Sequence, residues 1–107
     1  MMYVNTEEIT GYEISEMLGV VRGSSVRAKW LGADFVAAIR NVFGGEITEY
    51  SKLLAEAREQ AIDRMMEDAK ELGADAIVNV RFMTSQVGQQ AAEILVYGTA
   101  VKTNKKA

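Results

Sequence analysis

The sequence predicts an α+β domain: a small three-stranded antiparallel sheet with one long and one short helix, in the order β-α-α-β-β. Three observations carry that expectation. Apolar residues recur every three or four positions from Ile47 to Leu72; alternation of period two follows in "AIVNVRF"; and a last stretch, "EILVYGTAVK", is apolar on both sides. A chain of 107 residues that is 49% hydrophobic forms one domain, placed here over residues 1–103, with a frayed tail at 104–107.

Taken in order, Tyr12 to Val21 alternates well enough for a strand, with Tyr12, Ile14, Leu18 and Val20 on one side and Glu16 interrupting them. The strand is expected to continue past Gly23 as a bent or bulged ribbon through "SSVRAKW". In "ADFVAAIRNVF" the spacing of Phe35, Ile39, Val42 and Phe43 gives a short amphipathic helix, with Asp34 near its start and Gly44 and Gly45 ending it.

The long helix is marked by the stripe Ile47, Tyr50, Leu54, Ala57, Ala61, Met65, Ala69 and Leu72. Such a helix is about 39 Å long at 1.5 Å per residue. Its three alanines let the backbone approach a sheet closely, while Arg58, Arg64, Lys70 and many acids keep the other side in water. Gly73 stands one residue past the stripe, where a C-terminal cap takes positive φ. Beyond it Ala76, Val78, Val80 and Phe82 are expected to face one way, and Ile77, Asn79, Arg81 and Met83 the other.

Composition then removes whole classes of function. The chain has no histidine and no cysteine, so it lacks the residues of Ser-His-Asp and Cys-His nucleophilic systems and of ordinary zinc, copper or non-haem iron sites. What remains is oxygen ligation, Lys chemistry and carboxylate acid–base work; a non-enzymatic protein is expected, with an enzyme using Lys or carboxylates as the alternative, and no motif names a cofactor. A net charge of −3 argues against binding nucleic acid through its phosphates. No apolar run approaches a membrane span and "MMYVNTEEITGYE" is not a signal peptide, so the expectation is a cytoplasmic protein that is not membrane-bound.

The last strand makes size an argument. Ile94, Val96 and Ala100 alternate with Leu95, Tyr97 and Val101, so both of its faces want cover, and one helix covers one. A strand of eight to ten residues spans about 26 to 33 Å, so the helix is also expected to overhang the sheet. Self-association is the economical remedy, with Phe35, Ile39, Phe43, Leu95, Tyr97 and Val101 as interface candidates.

Together "RNVFGGEITEYSKLLAEAREQAIDRM", "LGADAIVNVRF" and "YGTAVK" resemble the YbjQ-like family of small bacterial and archaeal proteins, over nearly the whole chain and in the same order. The resemblance implies a dodecin-like subunit assembled as a homopentamer around a central β-barrel ring. It also implies a heavy-metal-binding label on a family of unassigned role. That label fits poorly with a chain lacking thiolate and imidazole.

Two clusters are candidates for ligands. Glu59, Asp63, Glu67 and Glu71 are spaced by four along the long helix, opposite its apolar stripe. The row reads as a solvated face balanced by Arg64 and Lys70, or as carboxylates for a hard ion such as Ca²⁺ or Mg²⁺ completed by a neighbouring subunit. In "RGSSVRAKW", Arg22, Arg27 and Lys29 near Trp30 offer an anion contact, or charges that guard a strand edge. Met65, Met66 and Met17 suggest soft thioether ligands on paper, but Met65 belongs to the helical stripe and is expected in the core.

Overall fold

A computed structural model describes residues 1–25, 47–87 and 91–107. Their elements are β1 (Met2–Tyr3), β2 (Tyr12–Ser25), α1 (Ile47–Glu71), β3 (Ala76–Val87) and β4 (Ala91–Lys105). The sheet runs β1-β3-β4-β2. β1 lies parallel to β3, whereas β4 is antiparallel to both β3 and β2.

This corrects the expected fold class. The sheet is four-stranded and mixed rather than three-stranded and antiparallel, because Met2 and Tyr3 add beside Ala76 and Ile77. Among the described residues one helix stands between β2 and β3, so the order is β-β-α-β-β in place of β-α-α-β-β. The short helix, with Phe35, Ile39 and Phe43, lies outside the described residues, as do Arg27, Lys29 and Trp30. The sheet of one chain is open, and the β-barrel ring implied by resemblance is not part of this single-chain structure.

Strand length is a second correction. β4 has 15 residues, about 50 Å at 3.3 Å each, against about 37 Å for the 25 residues of α1. The sheet therefore overhangs the helix, the reverse of what shorter strands led us to expect.

Why α1 sits where it does follows from its small residues. Ala61, Met65 and Ala69 are buried against Val21, Ile77, Val96 and Ala100, with Ile62, Val80 and Ile94 completing the core. Gly23 lies directly beneath the helix: a Cβ there would fall on the Ala61 carbonyl oxygen and 2.5 Å from the Met65 nitrogen. This close approach needs glycine on β2 as much as alanine on α1.

The helix ends as its sequence announces. The Ala74 amide donates to the Ala69 carbonyl (3.1 Å) and the Gly73 amide to that of Lys70 (3.0 Å), with φ of 76° at Gly73. This is a Schellman cap.

Strict alternation fails in β2 and β3, and bulges are the cause. In β3 the register shifts between Val78 and Arg81, and Asn79 takes φ of 54°, a region asparagine tolerates better than most residues. Ile77 and Val80 therefore both join the helix-side core, while Ala76 and Val78 face the other way in a second cluster with Val101 and Ile9. Ala76, Val78 and Val80 do not share a face as predicted. In β2, shifts between Ile14 and Glu16 and between Met17 and Gly19 turn Leu18 toward the helix-side core and leave Val20 on the opposite face, opposed to Thr99.

Candidate functional site

The residues after β1 explain how part of the second face is covered. The Val4 amide donates to the Ile77 carbonyl (2.9 Å), and the Val80 and Asn79 amides donate to the carbonyls of Val4 and Thr6 (3.0 Å each). The bulge at Asn79 thus supplies the outward amides that hold the N-terminal segment, and Ile9 closes over Ala76, Val78 and Val101. Val101 is left 1% exposed, so this proposed interface residue is buried within its own chain.

Among the described residues the cover stops there. Cross-strand register continues this face in three rows, the first of which still has its β3 end, Val78, under Ile9: Val20–Thr99–Val78, then Arg22–Tyr97–Arg81, then Ser24–Leu95–Met83. Val20 is 67% exposed and Met83 54%, and Met17, at the rim of the covered end, is 75% exposed. Leu95 and Tyr97, both expected at an interface, are half-buried on this face, between exposed neighbours. The open face is therefore apolar with one basic band across it.

Its edges differ. On β2 the outward Arg22 amide donates to Asp68 Oδ2 (3.3 Å), and Arg64 Nη1 donates to the outward Ser24 carbonyl (2.6 Å). Two helix side chains thus occupy the hydrogen-bonding groups that another strand would need. On the far side, Arg81 Nη1 donates to the carbonyls of Asn5 (2.8 Å) and Val80 (3.0 Å), beside a depression of about 740 Å³ lined by Tyr3, Thr6 and Phe82 among others.

The predicted candidates separate accordingly. Glu59, Asp63, Glu67 and Glu71 are all exposed on α1, away from the sheet. Among the described residues no three acidic side chains come together in a group able to hold a metal ion. Met65 is buried in the core and Met17 lies on the sheet's other face, so the methionines do not converge. Arg22 is exposed at one end of the basic band. Sequence reading offered Tyr97 only as an interface residue and did not join Arg81 to Arg22, because a face can be assigned in β3 only once the bulge is known.

No helix among the described residues is long and apolar enough to cross a membrane. Comparison with known proteins gives a consistent family and no activity. The chain is 61% identical to a UPF0145 protein of Methanosarcina acetivorans, over 95% of this chain and 96% of that one. It is 53% identical to a UPF0145 protein of Thermococcus kodakarensis, over 99% and 94%. A crystal structure of a protein of unknown function from Pediococcus pentosaceus aligns at a TM-score of 0.48 and 17% identity, covering 99% of this chain and 98% of that one. The YbjQ family model, described as "Putative heavy-metal-binding", matches residues 1–104, and the chain belongs to that family.

Proposed function

We propose that this chain is a non-enzymatic subunit of a closed, ring-forming homo-oligomer that holds a small ligand at pockets between copies, in the cytoplasm. The observation that carries the reading is the open sheet face, where Met17, Val20 and Met83 stand in water beside Leu95 and Tyr97. Large exposed apolar side chains grouped on one sheet face mark a surface for association. The radius of gyration adds support: it is 16.9 Å, against about 13 Å for a compact chain of this length. A protomer extended in this way gains more from neighbours than a sphere does.

Native mass spectrometry and sedimentation of the purified chain test the reading. A single closed assembly is expected, and the double substitution Val20→Lys with Met83→Lys should break it into folded single chains. Compact monomers of the parent chain at micromolar concentration sink the proposal.

The family description supports a second reading, in which the assembly binds metal through carboxylates. Within one chain the exposed row Glu59, Asp63, Glu67 and Glu71 does not gather into a site, so its ligands would have to come from two copies. Calorimetric titration with Ca²⁺, Mg²⁺, Zn²⁺ and Cu²⁺ decides this. Saturable heat lost in Glu67→Gln supports it, and no heat with any of the four removes it.

A further inference from the structure

We infer that the basic band Arg22–Tyr97–Arg81 is an oxyanion site for a phosphate-bearing ligand. The proposal deepens the ligand half of the preceding reading but does not need its assembly half, since all three residues belong to one chain.

Register brings the band together. Tyr97 on β4 is directly opposed to Arg22 on β2 and to Arg81 on β3. Neighbouring strands lie about 4.8 Å apart, so the two arginine backbones are about 10 Å apart with the ring between them. Both arginines are exposed and the tyrosine is half-buried. The rows on either side, Val20–Thr99–Val78 and Ser24–Leu95–Met83, carry no charge. Glu93, the next acid along β4, is opposed to Ser85, about 13 Å from Tyr97 along the strand.

Two arginines in one row of a face whose neighbouring rows are uncharged create a demand for an anion. Covering them without one would leave buried charge uncompensated, so any partner that closes over this face must bring negative charge or trap it. Arg81 is already oriented, because its Nη1 donates to the carbonyls of Asn5 and Val80; among the described residues Nε and Nη2 make no hydrogen bond. Guanidinium forks match the paired oxygens of phosphate, the Tyr97 hydroxyl adds a donor, and its ring offers a stacking surface. Free phosphate groups and the phosphates of a nucleotide share this chemistry.

The test is calorimetric titration of the full-length chain at low ionic strength with inorganic pyrophosphate, ADP and adenosine, with sedimentation of the same samples. Saturable pyrophosphate binding is expected, weakened about tenfold or more by Arg22→Gln, as loss of a charge-assisted contact implies. Arg22→Lys should recover only part of it, because an ammonium lacks the fork. Tighter binding of ADP than of pyrophosphate assigns a nucleotide, and equal binding assigns the phosphate groups alone. Absence of saturable binding by about 10 mM, or an Arg22→Gln chain that binds like the parent, overturns the site. Binding by a chain that sediments as a monomer keeps the site and overturns the assembly; an assembled chain that binds none of the probes does the opposite.

Discussion

The two faces of this sheet are built from the same three strands and have opposite fates. On the helix side, Gly23, Ala61 and Ala69 bring backbone against backbone and the interior is filled by Met65, Val21, Ile77 and Val96. On the other side one end is closed by Ile9, and beyond it Val20, Met17 and Met83 stay in water. The difference shows that apolar content alone does not make a core. A face becomes interior where a second element can approach it closely; where none does, the same residue types become a surface awaiting a partner.

The comparison can be broken from its tight side first. Gly23→Val should lift α1 off β2 and cost about 3 kcal/mol or more, read as a lower midpoint in denaturant unfolding. A chain as stable as the parent would mean that the helix does not rest on that glycine. Ile9→Ala acts on the intermediate region: it opens the second cluster and should cost about 2 kcal/mol, with faster amide exchange at Asn79 and Val80 as the N-terminal segment loosens. Unchanged exchange there would show that the backbone bonds hold this segment without its apolar cover. On the open side, Val20→Lys with Met83→Lys should move the intrinsic folding stability of the single chain by no more than about 0.5 kcal/mol per site, however strongly it affects association.

Much of α1 was legible because its signals are local. The stripe through Ala57, Ala61, Met65 and Ala69, and the cap at Gly73, depend on residues within a few turns of one another. β1 was not legible, since a two-residue strand has no periodicity and its partner lies far along the chain. The alternation of "AIVNVRF" misled for a related reason: Asn79 interrupts the pleat where the N-terminal segment must be held, and only tertiary pairing reveals it. The candidate site was half legible. Arg22 was named with Arg27 and Lys29 as an anion contact and Tyr97 only as an interface residue of the doubly apolar β4, and Arg81 joins them only through the register of two strand pairs.

The parallel pairing of Met2 with Ala76 also bears on how the molecule is made. Met2 and Tyr3 must wait until roughly seventy further residues have been made before their strand has a neighbour, and closing so long a loop is slow. Until then this short strand is unpaired, so the edge it gives to β3 is among the last parts of the sheet to form.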